Sequence, residues 1–353
     1  MLVSENSSQY YLGVRRSGRC GALALVAALV VAACGDSGGS GPADSDDRAG
    51  GPDTPTVVAT TSIWADVVSN LACGGIAAVE TLVPPGADAH AFEPSLADRE
   101  RLETASLVVA NGLGLEGGLE TTLEAVEAEG TPVVRVADHI AILPMSSPEA
   151  AGHDHEDEAT ADTGEPEQDH ARDHEHEGED PHLWFDPIQV AGALPALAEV
   201  LGSEAGLDPD AVDACLTAYG AELEALDAEI IEILAAIPQE RRVLVTNHES
   251  LGSFADRYGF DVVGTIIPAP STLAETSPGQ LEDLAEAVEA TGAPAIFVEH
   301  EHSSTQAEAL AERVGDVSVV SLHTEALGEP GSGADTYVGF LRTNATAIAD
   351  ALA

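Results

Sequence analysis

Residues 208–238, DPDAVDACLTAYGAELEALDAEIIEILAAIP, contain the strongest periodic pattern in the chain. Asp208 followed by Pro209 is typical of a helix N-terminus, because aspartate caps free backbone N–H groups and proline fits the first helical position. Apolar residues then recur at spacings of four and three, at Val212, Leu216, Tyr219, Leu223, Leu226, Ile230, Ile233 and Ile237. The pattern predicts one helix over 209–237, which Pro238 ends. At 1.5 Å per residue its length is roughly 40 Å, more than a helix inside one domain needs.

Short apolar runs alternate with helical stretches on both sides of this helix. Before it, strands are predicted at 57–63, 79–83, 107–110 and 133–136, and helices at 64–71, 95–104, 119–129 and 187–202. After it, strands are predicted at 242–246, 262–267, 295–298 and 317–322, and helices at 251–258, 280–290, 305–314 and 335–352. This alternation indicates parallel sheets covered by helices. We therefore expect an α/β fold with two lobes, residues 56–208 and 238–353, each a four-stranded parallel sheet with flanking helices.

The N-terminus has the pattern of an export signal. Three arginines precede an apolar run of 13 residues, 21–33, which is too short to span a membrane. The run ends Val-Ala-Ala before Cys34, which resembles a bacterial lipoprotein box and implies cleavage after residue 33 and lipidation of the Cys34 sulfur. An ordinary signal with an unrelated cysteine is the alternative. Residues 34–55 are rich in Gly, Ser, Asp and Pro and are expected to form a flexible tether.

The charge of the chain excludes several classes of function. The formal net charge is −49, and all 13 basic residues are arginine. A Walker A phosphate loop and a Schiff-base enzyme both need a lysine, so neither is compatible with this sequence. Nucleic acid is not an expected partner, because its binding depends on neutralising phosphates. The excess of acidic residues instead suits a cation.

A tract at 149–180 interrupts the first lobe. It consists almost wholly of Asp, Glu, His, Gly, Ala and Thr and has no apolar periodicity, which predicts disorder in the absence of metal. Its five histidines are His153, His155, His170, His174 and His176. We expect them to bind metal weakly and exchangeably. The alternative is a merely solvated acidic loop.

Four side chains of types that can bind a metal follow predicted strands, and two of them fall in each lobe. His90 lies after the second strand and His182 closes the long loop after the fourth. His248 and Glu325 follow the strands at 242–246 and 317–322. Open parallel sheets bind ligands beyond the carboxyl ends of their strands. A cleft between the lobes is therefore expected to gather all four.

The segments around these residues resemble the zinc/manganese-type solute-binding lipoproteins of ABC transporters. They are PPGADAHAFEPS at 84–95, DPHLWFDP at 180–187, TNH at 246–248, LHTE at 322–325, and then DTY at 335–337 and RTN at 342–344. The resemblance covers residues 56–353. It implies two α/β lobes, a rigid linking helix and a metal between the lobes, held by His90, His182, His248 and a carboxylate at Glu325.

Two departures from the family pattern leave the fourth ligand open. Glu-Ser-Leu follows His248 where the family usually has Asp-Ala-Phe, so Glu249 adds a carboxylate near the site. His323 is also unusual so close to the fourth position. Glu325, Glu249 and a water molecule are the candidates for the fourth ligand.

Three imidazoles with at most one carboxylate favour Zn²⁺ over manganese, and in the family a His-rich tract at this place accompanies the zinc type. The resemblance implies an extracytoplasmic, lipid-anchored monomer, not an enzyme, that captures zinc and delivers it to an ABC permease and its ATPase. A manganese or iron carrier, a metal-binding surface adhesin and a zinc hydrolase are the alternatives. The hydrolase lacks support, because His-Glu-x-x-His does not occur, and the Gly-x-Ser-x-Gly match at 35–39 lies in the expected tether rather than between a predicted strand and a predicted helix.

The two cysteines of the expected folded region are Cys73 and Cys215. Export permits oxidation, and Cys73 ends the first helix while Cys215 lies early in the long helix. We expect a disulfide between them. A metal-binding role is the less favoured alternative, because neither lies in a ligand motif.

Overall fold

The first lobe is built on a four-stranded parallel sheet. The computed structural model describes residues 54–142, 179–300 and 303–353. The strands of the first lobe are β1 (Thr56–Ala59), β2 (Ala78–Thr81), β3 (Leu107–Ala110) and β4 (Val133–Arg135). Their order is β2-β1-β3-β4, and all pairs are parallel. The Pro55 carbonyl accepts a 2.8 Å bond from Ala78 N, so this last residue of the expected tether already belongs to the fold.

The second lobe repeats this topology. Its strands are β5 (Val243–Thr246), β6 (Asp261–Thr265), β7 (Ala295–Glu299) and β8 (Ser318–Leu322), in the order β6-β5-β7-β8 and again all parallel. The expected α/β fold with two four-stranded parallel sheets is confirmed. In each sheet the second strand lies on one side of the first strand, and the third and fourth strands lie on the other side. Such a switch point opens a crevice at the carboxyl ends of the strands.

Helices cover the sheets and join the lobes. They are α1 (Ser62–Leu71), α2 (Leu96–Thr104), α3 (Glu120–Glu129), α4 (Pro187–Ser203), α5 (Pro209–Leu234), α6 (Gly252–Tyr258), α7 (Pro278–Thr291), α8 (Thr305–Val314) and α9 (Tyr337–Leu352). The longest is α5, and Asp208 caps it by accepting a 3.0 Å bond from Asp210 N. Within the described residues, no helix is long and apolar enough to cross a membrane.

Helix α5 ends at Leu234, three residues before the end predicted from the apolar spacing. Ala235 N bonds Glu232 O at 3.3 Å, and Ile237 N bonds Leu234 O at 3.1 Å. These bonds reach back three residues, so the chain tightens into turns ahead of Pro238, which disfavours helix at the residue before it. Ile237 stays buried although it has left the helix, which is why the apolar spacing did not reveal the end.

One apolar core passes through both lobes. It contains buried faces of α1, α4, α5 and α9 together with residues of both sheets. Separate smaller cores fill the outer sides of the first and second lobes. A disulfide joins Cys73, just after α1, to Cys215 on α5, with their Cα atoms 5.9 Å apart. The long helix is therefore covalently tied to the first lobe.

Candidate metal centre

Four buried side chains meet where the two lobes face each other. His90 lies in the loop between β2 and α2, and His182 lies in the segment that leads into α4. His248 follows β5 and Glu325 follows β8. His90 is 4% exposed, Glu325 2%, and the other two are fully buried. The crevices at the carboxyl ends of both sheets thus contribute to one site.

The donor atoms of these residues converge on one point. One ligand atom from each of His90, His182, His248 and Glu325 lies within 4.8 Å of the others. Nε2 of His182 and Nε2 of His248 are 3.0 Å apart, and each lies 3.4 Å from Oε1 of Glu325. Nε2 of His90 lies 3.9 Å from Glu325 Oε2. The spacing suits ligands that surround a single small cation.

Three of these donor atoms have no hydrogen-bond partner among the described residues. They are Nε2 of His90 and both carboxylate oxygens of Glu325, and all three are buried. A polar atom buried without a partner costs roughly 1–3 kcal/mol, more when it is charged. A divalent cation among the four residues would satisfy all three atoms, so the residues present fit a metal ion.

Two of the ligand segments share a local pattern in which an aspartate lies two residues before the histidine. Asp88 Oδ1 accepts a 2.8 Å bond from His90 N, and Asp180 Oδ1 accepts a 2.9 Å bond from His182 N. Asp180 Oδ1 also lies 2.8 Å from His182 Nδ1. Asp180 is buried, so the predicted disordered tract at 149–180 extends too far at its C-terminal end. Aspartate fixes these turns because its short side chain reaches the backbone two residues on.

A second carboxylate orients His248. Glu299, at the end of β7, contacts His248 Nδ1 through Oε1, and its Oε2 accepts a 3.3 Å bond from Asn247 Nδ2. A carboxylate on Nδ1 keeps the proton there and leaves Nε2 free to bind a cation. His182 and His248 are therefore held with Nε2 facing the centre of the group.

The surroundings shift the pKa values of these histidines in opposite directions. Burial lowers the pKa of His90 to about 4, because it outweighs the nearby Glu325 carboxylate, which favours the charged imidazole. Burial also acts against charge on His182, but its contacts with Asp180 and Glu325 outweigh burial and raise the pKa of His182 to about 10. His248 follows the same balance with Glu299 and Glu325, and its pKa is raised.

Glu325 is ionised in this environment. Burial alone would raise its pKa, but contacts with His182 and His248 hold the pKa of Glu325 well below its usual range. The raised pKa of His182 keeps a proton on its imidazole beside the Glu325 carboxylate at neutral pH. An arriving metal ion has to displace that proton.

Hydrogen bonds between the lobes fix the relative positions of the segments that carry the candidate ligands. Trp184 Nε1 donates to Thr324 O at 2.9 Å, next to Glu325. Ser253 Oγ donates to His182 O at 3.2 Å. Thr272 Oγ1 in the second lobe donates to Asp88 Oδ2 in the first, at 2.5 Å. Each bond ties a segment of one lobe that carries a ligand to the other lobe.

The remaining candidates from the sequence lie elsewhere. In the part of the chain that the structure describes, Glu249 is half-buried and outside the group of converging donors, which contains Glu325 as its carboxylate. His323 packs against His300 instead. The tract histidines, His153, His155, His170, His174 and His176, and the expected lipidation site, Cys34, lie outside the described residues.

Sequence reasoning missed the carboxylates behind the ligands, Asp180 and Glu299. For Asp180 a signal was available, because it stands at the same offset from His182 as Asp88 from His90. Glu299 directly follows the predicted strand at 295–298 and ends β7, at the same edge of the sheet as His248, so it satisfied the positional rule used for the ligands. Applying that rule to residues that support ligands would have found it.

Comparison with known proteins agrees with this architecture. The chain matches the family model "Zinc-uptake complex component A periplasmic" over residues 57–351. The zinc-binding protein TroA of Treponema pallidum is 31% identical over 304 residues, covering 85% of this chain and 89% of that protein. The manganese-binding lipoprotein MntA of Halalkalibacterium halodurans is 29% identical over 325 residues, covering 91% of this chain and 93% of that protein. The solved structure of the periplasmic zinc-binding protein TroA from Treponema pallidum matches with a TM-score of 0.71 at 29% identity, covering 85% of this chain and 99% of that one.

The matched span bears directly on the site. Residues 57–351 include both sheets, the long helix and all four residues of the buried group. The relatives are named for zinc in one case and for manganese in the other, and therefore agree on a metal but not on which metal. The chain belongs to the zinc-uptake complex component A family, the metal-binding solute-binding proteins of ABC importers.

Proposed function

We propose that the protein captures Zn²⁺ outside the cytoplasm and delivers it to the permease of an ABC importer. The observation that carries the proposal is the buried group of three imidazoles and one carboxylate, whose donor atoms lie within 4.8 Å of one another. Zinc favours four ligands of this kind in a tetrahedron, whereas manganese favours oxygen-rich sites. His90, His182, His248 and Glu325 are the proposed ligands.

Manganese is the second candidate, and one feature of the site favours it. Both oxygens of Glu325 are buried without a hydrogen-bond partner in the described chain and face histidine nitrogens. If both bound the ion, the site would offer five donor atoms rather than four. Higher coordination suits manganese better than tetrahedral zinc. The family also includes relatives named for manganese binding.

The presence of four protein donors argues for a binding protein rather than an enzyme. A catalytic zinc keeps one position open for water, whereas a site closed by protein ligands does not. Four protein donors in a buried group leave no such position for a tetrahedral ion. Incubation of the zinc-loaded protein with generic esters and peptides should give no turnover above that of a His90→Ala variant.

Competition against a chromogenic zinc chelator tests the site. The chain for this test has its five tract histidines replaced by serine, so that the tract does not compete with the buried group. His90→Ala or His248→Ala should weaken zinc binding by orders of magnitude, because three ligands or fewer remain. Glu325→Ala should cost less, since water can take the vacated position. His139→Ala, at an exposed position, is the control and should leave the affinity unchanged.

Wild-type affinity in His90→Ala or His248→Ala would refute the buried site. Affinity alone does not decide the metal, because sites with nitrogen and oxygen donors generally bind Zn²⁺ more tightly than Mn²⁺. Growth of a strain that lacks the protein decides it. Growth restored by added zinc supports the proposal, whereas growth restored only by added manganese favours the manganese carrier instead.

Lipid anchoring at Cys34 places the protein beside its permease in this proposal. The support is the sequence Val31-Ala32-Ala33-Cys34 after an apolar run of export-signal length. Cys34→Ala should either release the protein from the membrane or leave it unprocessed. A variant that still partitions into detergent like the wild type would rule out the anchor.

The tract at 149–180 is proposed to collect zinc weakly without building the main site. Five histidines among many carboxylates supply ligands, but a segment whose composition predicts no fixed structure is expected to lose entropy each time it orders around an ion. Deleting residues 149–178 should lower the number of zinc ions bound and retain the tightest one. Loss of the tightest ion would contradict this role.

A further inference from the structure

Two histidines outside the buried group pack against each other at the surface of the second lobe. His300 follows β7 and His323 follows β8. Their ring centroids are 4.9 Å apart, with an angle of 42° between the ring planes. His300 is exposed and His323 is half-buried. Neither belongs to the group formed by His90, His182, His248 and Glu325.

Backbone hydrogen bonds fix the position of this pair. Strands β7 and β8 are parallel neighbours with Glu299 opposite Leu322, and His300 N continues the ladder with a 2.9 Å bond to Leu322 O. The buried Asn344 holds His323 on both sides, since Oδ1 accepts from His323 N at 3.0 Å and Nδ2 donates to His323 O at 2.6 Å. The two rings are therefore brought together by a rigid frame rather than by a loop alone.

The spacing of the rings matches that of the buried ligand histidines. The three ring pairs among His90, His182 and His248 have centroids 4.8 to 5.7 Å apart, and the His300–His323 distance falls within this range. Nδ1 of His323 is buried and, within the described residues, has no hydrogen-bond partner. A buried imidazole nitrogen without a hydrogen-bond partner, beside a second imidazole, suits a metal ion as its partner.

We propose that His300 and His323 form a second metal site, open to solvent, for a divalent transition-metal ion. Imidazole donors select zinc, copper, nickel or cobalt over magnesium and calcium. Two protein ligands leave the other positions to water, so this site binds more weakly than the buried one and exchanges its ion readily. The proposal does not depend on which metal the buried group carries.

The chain connects this pair directly to the buried site. Glu299, which contacts His248, immediately precedes His300, and Glu325 lies two residues after His323. An ion on the surface pair is therefore held by the same two strand ends that support the buried ligands. Its role is to keep a metal ion next to the buried site while that site is being filled.

Modification of histidines with diethyl pyrocarbonate, read by peptide mass spectrometry, tests the second site on the full chain. The readout is specific to each residue, so the tract histidines do not obscure it. The protein first receives one equivalent of zinc to fill the tightest site, and zinc is then titrated further. Added zinc should slow modification of His300, whereas magnesium should not. His139, also exposed, serves as the control and should react at a constant rate.

The variant His323→Ala distinguishes a site with two protein ligands from nonspecific binding to one surface histidine. The zinc concentration that half-protects His300 should rise by about tenfold or more when one of two ligands is lost. Retention of the first, tightly bound zinc shows that this variant is folded. His300 that reacts equally fast with and without zinc, or protection that is unchanged in His323→Ala, would overturn the second site.

Discussion

Asp180 contacts His182 twice, through the backbone N at 2.9 Å and the ring Nδ1 at 2.8 Å from a single carboxylate oxygen. The contact sets both the turn of the chain and the orientation of the ring. Glu299 makes the ring contact for His248, and Asp88 makes the backbone contact for His90. The geometry of the buried group therefore depends on the carboxylates of Asp180, Glu299 and Asp88, which lie outside the group of converging donor atoms.

Asp180→Asn should weaken zinc binding by about 10–100-fold, the usual cost of losing a carboxylate that orients a ligand histidine. An asparagine keeps the size of the side chain and can still accept the backbone bond. It no longer holds the Nδ1 proton of His182 as a charged group does. The competition assay measures the loss, with Asp138→Asn at an exposed position as the control. An unchanged affinity in Asp180→Asn would mean that packing alone orients His182.

Metal affinity should rise with pH well above the usual range for histidine. Because its pKa is raised to about 10, His182 carries a proton at neutral pH, and the pKa of His248 is raised as well. His90, with its pKa lowered to about 4, is already neutral and adds nothing in this range. Each displaced proton makes the affinity about tenfold stronger for each pH unit.

The measurement is the zinc affinity between about pH 6 and 9, corrected for protonation of the chelator. Calorimetry in buffers of different ionisation enthalpy should independently detect proton release on binding. Unperturbed histidines would give an affinity that levels off above about pH 7. A flat profile there, without proton release, would contradict the raised pKa values.

Local patterns predicted the elements of this fold well, because their signals lie within a few residues. The strand Leu107–Ala110 and the helix Thr305–Val314 have the predicted limits. The predicted end of α5 was wrong because Ile237 remains buried after the helix has ended. Strand order within each sheet depends on contacts between distant segments, which periodicity does not contain.

The candidate site was predictable in part. The positional rule at strand ends selected His90 and His248, which the fold brings together from different lobes. It did not separate Glu325 from Glu249 as the fourth position, because both are carboxylates near a strand end. That distinction depends on side-chain direction, which only the packed structure determines.

Removal of the disulfide should lower the free energy of unfolding without changing metal binding. The bond closes a loop with a sequence separation of 142 residues. In the chain-entropy model such a loop contributes up to about 5 kcal/mol, through restriction of the unfolded state. The double variant Cys73→Ala/Cys215→Ala should therefore unfold at lower denaturant concentration. Its zinc affinity should equal that of the wild type, since neither cysteine contacts the buried group; a loss of affinity would show that the bond also positions the ligands.

The hydrogen bond from Thr272 to Asp88 should slow the release of the metal. It joins the second lobe to the segment that positions His90, and Oγ1 and Oδ2 are 2.5 Å apart. Replacing Thr272 with valine preserves the shape of the side chain but removes the donor. A hydrogen bond to a charged group contributes about 1.5–3 kcal/mol, so zinc dissociation should accelerate by roughly tenfold or more.

Thr276→Val is the matched control for this prediction. Thr276 lies in the same loop and donates to Ile266 O at 2.6 Å, within its own lobe. The same substitution there removes a hydroxyl of similar burial but no bond between the lobes, so the zinc dissociation rate should stay close to that of the wild type. Stopped-flow mixing with excess chelator gives both rates. If the two variants release zinc equally fast, the effect belongs to the loop, and the bond between Thr272 and Asp88 does not hold the lobes around the ion.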